Sequence, residues 1–178
     1  MPKIIPGLKQ TIIDKGREIL FEEGYDALSM RRMAGECGIA VGTIYNYMRN
    51  KDDLVAHICM EDWLAAVKSI NEELDTIEGF VDGMDVIYKG IVGFRDCYSK
   101  CWSEYALAGG SREIIDRIHP NLRKQVADMI ERFMEKTGSS AKKEAISFML
   151  AELIIATVIH PDIDDYKFRL FVESIDIT

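Results

Sequence analysis

A chain of 178 residues, 48% hydrophobic and 29% charged, has enough apolar material for a buried core and does not have the composition of a disordered chain. Its four cysteines, Cys37, Cys59, Cys97 and Cys101, lack the spacing of a zinc site, and a chain of this size needs no disulfide framework, so free, buried thiols are expected. The net charge of −8 excludes a uniformly basic nucleic-acid binder, but it is unevenly spread. Residues 1–52 hold eight Lys/Arg against seven Asp/Glu, close to +1, and the remaining 126 hold fourteen against twenty-three, close to −9. A locally basic face on the first part is compatible with this distribution. The N-terminus does not read as a signal peptide, and the longest apolar stretch, Ile146–Ile159, is interrupted by Glu152 and too short to span a bilayer. The expectation is a cytoplasmic protein that does not enter the membrane.

Taken in chain order, the elements read as helices throughout, with no convincing strand alternation. The first runs from about Lys9 to Glu23, with Leu8, Ile12, Ile19 and Leu20 on one face and Gly24 as its stop. The second starts after Ser29, a good N-cap, and places Met30, Met33, Ala34 and Cys37 at i, i+3, i+4 and i+7 before Gly38 ends it. The third, Val41 to Met48, repeats that spacing at Val41, Ile44, Tyr45 and Met48. Asn50 caps a fourth helix reaching about Leu74, with Asp53 at the capping-box position. A long fifth helix begins at Phe80 and ends before Gly109-Gly110. A short helix at Ser111–Ile118 is expected to break at His119-Pro120, and Pro120–Lys136 to follow as a separate helix stopped by Gly138. Ala141–Ile159 and Asp162–Ile175 complete an all-α chain of about nine helices.

The second and third helices, joined by Gly38-Ile39-Ala40, form a helix-turn-helix pattern. Gly38 supplies a positive φ, and Ile39 can plug the space between the helices. Val41, Ile44 and Met48 are expected to pack inward, with Gly42, Thr43, Asn46 and Tyr47 outward, flanked by Arg49 and Lys51. Gly42 lets a phosphate approach the backbone, Thr43 and tyrosine hydroxyls can donate to phosphate oxygens, and Asn46 suits an adenine edge. Lys51 opens the next helix, where its charge and the helix N-terminus both favour an anion. Pattern alone leaves open a plain helical hairpin whose polar face meets only solvent.

The run from Gly24 to Ala34, GYDALSMRRMA, resembles the second-helix signature of TetR-type transcriptional regulators. The run from Cys37 to Met48, CGIAVGTIYNYM, resembles their recognition helix, and Asn50-Lys51-Asp52-Asp53-Leu54 the start of their fourth helix. The likeness covers about Lys9–Leu54. It implies a three-helix DNA-binding domain over 1–52 and a helical effector-binding and dimerisation domain over 53–178. It also implies that Ser29, Thr43, Tyr45, Tyr47 and Lys51 hold phosphates, that Arg31 and Arg32 are weaker phosphate contacts, and that Val41, Gly42 and Asn46 face bases. Two positions depart from the family's pattern. Ala40 stands where Ser or Thr is usual, which removes an N-cap worth about 1 kcal/mol. Val41 stands where a basic or polar residue is frequent, and suits a thymine methyl.

In the second domain, Ile146–Ile159 is apolar nearly all round and must be covered on every side. A second copy of the chain is the natural cover, so a two-fold homodimer through about 141–175 is expected. In the fifth helix, Gly83, Gly90 and Cys97 recur every seven residues, which permits either close helix packing or an empty space. In the second case Phe94, Cys97, Tyr98, Trp102, Met129 and Phe133 would line a pocket for a small, mostly apolar effector. Cys97 and Cys101 lie one turn apart, but separated singles rarely make a sensing or metal site. No nucleophile–base pair, phosphate loop, cofactor signature or metal-ligand motif is legible, so no enzyme, cofactor or metal is expected. The function implied is an effector-responsive repressor that binds an inverted-repeat operator as a dimer and releases it on binding a small molecule. The alternative is a regulator-shaped protein without DNA binding that acts through protein partners, which Ala40 and the net charge motivate.

Overall fold

The computed structural model describes residues 5–107, 112–138, 143–159 and 164–175, with the backbone alone at 112–120 and 158–159. Among the described residues there are eight helices and no strand: α1 Leu8–Glu22, α2 Met30–Glu36, α3 Val41–Ile44, α4 Lys51–Leu74, α5 Phe80–Leu107, α6 Arg112–Lys136, α7 Lys143–Ile159 and α8 Asp165–Glu173. The expected start of the seventh helix at Ala141, and the break at His160-Pro161, lie outside the described residues. Eight helices stand where about nine were expected because α6 runs through Pro120. An interior proline removes one helical N–H and crowds the carbonyl four residues back, at about 3 kcal/mol. Burial downstream opposes that cost: Val126, Met129, Ile130, Phe133 and Met134 form one fully enclosed stripe of α6.

The chain forms two compact units, one from the segment up to Ala65 with the part of α5 from Tyr98 onward, the other from Ala66–Cys97 with α6, α7 and α8. In the first unit, α1 buries Leu8, Ile12, Ile13, Ile19 and Leu20, and α4 buries Leu54 and Ile58. Gly16 permits the approach of α1 to α4, since a Cβ there would stand 3.1 Å from both Leu54 Cδ2 and Ile58 Cδ1. Arg17 on α1 donates to Asp62 (2.8 Å) and Glu61 (2.9 Å) on α4, and the other Asp62 oxygen accepts the Tyr98 hydroxyl of α5 at 2.5 Å. Burial, then the bond to Asp62, pushes the Tyr98 hydroxyl well above its ordinary pKa, so it stays a neutral donor.

In the second unit, Tyr88 of α5 stacks on Phe168 of α8 with ring centroids 4.4 Å apart. The Arg95 guanidinium donates to the Thr157 carbonyl of α7 at 3.0 Å. Arg169 of α8 pairs with Asp85 and, at 3.3 Å, Asp82 of α5. The Lys136 ammonium satisfies the carbonyls of Leu74 (2.8 Å), the last residue of α4, and of Asp75 (2.7 Å), the next. The α5 glycines serve packing at two places: a Cβ at Gly83 would collide with the Phe133 ring of α6, and one at Gly90 with Ile70 of α4. On α7, Leu150, Ala151, Ile154 and Ile155 are buried while Phe148 and Met149 face outward. On α8, Phe168 and Val172 are buried while Tyr166, Leu170 and Phe171 face outward. Among the described residues no helix is long and apolar enough to cross a membrane.

Candidate nucleic-acid interface

The helix-turn-helix is built by caps and glycines. Ser29, in extended backbone, accepts the Arg32 N–H at 3.2 Å and starts α2. Gly38 then takes φ +64°, a left-handed conformation that a Cβ disfavours, and turns the chain toward α3. Ala40 holds the N-cap position of α3 with φ −67° and ψ 143° but offers no side-chain bond. After Ile44 the helix tightens: the Asn46 N–H bonds the Thr43 carbonyl and the Tyr47 N–H bonds the Ile44 carbonyl, both three residues back. Regular α-helix therefore covers only half of the expected Val41–Met48, although the Met48 N–H still reaches the Ile44 carbonyl at 3.0 Å.

This geometry sorts the expected site residues. Ile44 and Met48 are fully buried, while Val41 is 42% exposed and Tyr45 52% exposed. Val41 was expected to pack inward as well as to meet a base, and the inward half of that expectation fails. It occupies the first position of α3, ahead of the buried Ile44 and Met48, and stands in solvent there. Gly42 and Asn46 are exposed, and Thr43 and Tyr47 half-buried. The Tyr47 hydroxyl accepts the Ile5 N–H at 2.6 Å, which leaves its own proton for an acceptor. Ile39, expected between the two helices, is half-buried.

The basic residues differ in their engagement. Arg31 is exposed. Arg32 is held by Glu23 (2.5 Å) and lies 3.7 Å from Glu36, and the Glu23 carboxyl is correspondingly lowered below its ordinary pKa. Arg49 pairs with Asp53 at 2.9 Å. Asn50 Oδ1 accepts the Asp53 N–H at 2.8 Å and Asp53 accepts the Arg49 N–H at 2.9 Å, a reciprocal cap shifted one residue from the usual form. Lys51 opens α4 with its ammonium 3.5 Å from the centroid of the Tyr25 ring. Nothing in the sequence marks that contact: the two residues are 26 apart and meet only through tertiary packing.

The residues expected to line an effector pocket are divided between the two units. Tyr98 and Trp102 belong to the first, where Tyr98 is bonded to Asp62 and its ring lies 6.3 Å from that of Trp102. Phe94, Cys97, Met129 and Phe133 belong to the second, where Cys97 is exposed, Phe94 half-buried, and Met129 and Phe133 buried. The second unit also holds a cavity of about 630 Å³ on α4, α5 and α8 that none of these six lines; Ile70, Val86 and Gly90 face it, with Glu73, Asp82, Asp85, Lys89 and Arg169.

A buried apolar rib beneath an exposed edge of Val41, Gly42, Tyr45 and Asn46, launched from a left-handed glycine, is the architecture of a helix-turn-helix reading head. Residues 12–58 match the family described as bacterial regulatory proteins, tetR family. Over 73 residues the chain is 33% identical to the HTH-type transcriptional regulator UidR of Escherichia coli K12, covering 41% of this chain and 37% of UidR. Over 63 residues it is 32% identical to the fatty acid metabolism regulator protein of Bacillus subtilis, covering 35% of this chain and 32% of that one. These matches span well under half of the relatives' own lengths. A TetR/AcrR-family regulator from Thermobifida fusca has a similar fold, with a TM-score of 0.63 at 16% identity over 93% of this chain and 96% of that one. Residues 12–58 of the chain are thus similar to the helix-turn-helix segment of TetR-family regulators, and the fold of the chain resembles that of a TetR/AcrR-family protein.

Proposed function

We propose that the chain is a cytoplasmic, DNA-binding transcriptional regulator, an effector-responsive repressor that binds an inverted-repeat operator as a homodimer and releases it when a small molecule binds. Residues 1–52 act as the reading head and 53–178 as the effector-binding and dimerisation domain. The observation that carries the reading is the two-sided α3 region: Ile44 and Met48 anchor it in the core while Val41, Gly42, Tyr45 and Asn46 stand in solvent. Ser29, Thr43, Tyr45, Tyr47 and Lys51 then bind phosphates, with Arg31 and Arg32 beside them. Val41, Gly42 and Asn46 meet base edges. Arg32 must give up Glu23 to do so, which ranks it below Lys51.

Dimerisation through about 141–175 is supported by the exposed apolar side chains Phe148, Met149, Leu170 and Phe171 on α7 and α8. Two heads about 34 Å apart would enter successive major grooves. The effector is small and mostly apolar, and Phe94, Cys97, Tyr98, Trp102, Met129 and Phe133 remain the residues to scan for it. Release follows if the effector favours one spacing of the two heads over another.

The test is selection of duplexes from a random pool by the full-length protein, followed by fluorescence anisotropy across a salt series. Tight binding that weakens steeply with salt supports the reading. Salt-insensitive binding, or none to any selected duplex, favours the alternative of a regulator acting through protein partners.

A further inference from the structure

Lys51 is an expected phosphate contact whose charge rests on an aromatic ring of its own unit. Its ammonium lies over the Tyr25 ring, 3.5 Å from the centroid, a distance at which the negative ring face attracts a cation. Tyr25 is only 6% exposed and is fixed at three points. Its backbone N–H donates to Glu104 of α5 at 2.5 Å, and its hydroxyl donates to Asp52, next in sequence to Lys51, at 2.5 Å. Its ring meets Tyr105 of α5 edge to face, with centroids 5.5 Å apart. Gly24, at φ +96°, makes the first contact possible, since a Cβ there would stand 2.7 Å from the Glu104 carboxylate.

A lysine is a poor positional device by itself. Its four-carbon stem samples many rotamers, and ordering it on a phosphate costs most of that freedom. A rigid aromatic floor removes part of the cost before DNA arrives. We infer that Tyr25 is a positioning residue for DNA binding: held by Glu104, Asp52 and Tyr105, it presents the Lys51 ammonium at the start of α4 ready for a backbone phosphate. This inference rests on the DNA-binding reading above, and it assigns a role to residues of α5 and of the α1–α2 turn that lie outside the expected DNA contacts.

A double-substitution cycle on a selected duplex, read by anisotropy from about 50 to 200 mM salt, tests it. Lys51→Met should weaken binding and reduce the salt slope by about one. Tyr25→Leu should weaken binding about two- to fivefold in the parent, and by much less in the Lys51→Met background, because the floor matters only while the cation is there. Tyr25→Phe, which keeps the ring face, should restore most of the loss. An equal loss from Tyr25→Leu in both backgrounds would make Tyr25 merely structural and overturn the inference. A second measurement needs no variant: the ring current should move the Lys51 ε-methylene protons upfield in the free parent protein, and ordinary lysine shifts there would also overturn it. A parent that binds no selected duplex ends the DNA reading and this inference together, whatever the NMR shows.

Discussion

Three glycines of α5 make a matched experiment on how tightly the second unit is packed. Replacing an interior helical glycine with alanine gains about 1 kcal/mol of backbone propensity if the new methyl group has room. At Gly93 nothing lies within 4 Å of the added Cβ, so Gly93→Ala should keep that gain and raise Tm by about 2–4 °C for a chain of this size. At Gly83 the same methyl meets the Phe133 ring, with Cδ1 at 2.8 Å and two further ring atoms closer still. The ring is buried, as are Ile130 and Met134 of the same helix. Overpacking costs about 1–3 kcal/mol, and a contact this close belongs to the upper part of that range, about 2–3 kcal/mol, so Gly83→Ala should lose about 1–2 kcal/mol net and melt about 2–8 °C lower. Gly90→Ala should fall between, because the obstructing Ile70 Cγ1 and Cδ1, at 2.4 and 2.5 Å, belong to a rotatable aliphatic side chain that also borders the cavity. The assay is urea and thermal unfolding by circular dichroism at one fixed protein concentration, since association would shift every midpoint. Phe133→Leu should recover part of the Gly83→Ala loss. If Gly83→Ala is as stable as the parent, or Gly93→Ala is clearly less stable, the packing argument for α5 is wrong.

Other outcomes follow from the head and the thiols. Ala40→Ser should stabilise α3 by about 1 kcal/mol and tighten DNA binding, because the extended backbone at position 40 already suits an N-cap; unchanged unfolding and binding would contradict the cap geometry. Asp53 titrates lower in the folded chain than its ordinary value of 3.8, because Arg49 bonds it. Its contribution is therefore complete above the ordinary carboxylate range and lost as pH falls through the depressed value. Asp53→Asn should flatten the acid limb of a stability–pH curve below about pH 4 and cost about 0.5–1 kcal/mol at neutral pH. Burial pushes the Cys59 thiol up to about 12 and the Cys101 thiol up to about 11, whereas Cys97 is exposed. Mass spectrometry after brief alkylation near pH 8 should find Cys97 modified first, and faster labelling of Cys101 would show that the α5 segment opens.

What the sequence disclosed was local chemistry. Gly24 and Gly38 were legible as stops because the left-handed turn has one preferred residue, and both take positive φ. Ser29 and Asn50 were legible as caps because their oxygens satisfy N–H groups two or three residues on. Pro120 misled because its local penalty was visible while the burial of the α6 stripe was not. The period of α3 persisted to Met48 although the backbone tightened after Ile44; apolar spacing reports which side chains are buried and not which carbonyl each N–H chooses. Of the exposed edge, Gly42 and Asn46 were readable from the motif; Val41, expected inward, and Tyr45 stand in solvent as well, while Thr43 and Tyr47, expected outward, are half-buried. The Tyr25 floor under Lys51 was not readable, since it depends on α5 contributing Glu104 and Tyr105 about 80 residues further along the chain.

The return of α5 to the first unit limits how this head can be reused. Tyr98, Cys101 and Tyr105 are core residues there, and Glu104 takes the Tyr25 N–H. A fragment cut after Ala65, or grafted onto a foreign body at that point, would carry an open wound where Phe21 and Tyr25 have lost their aromatic neighbours. Swapping such heads between regulators would succeed only if a matching stretch of α5 travels with them.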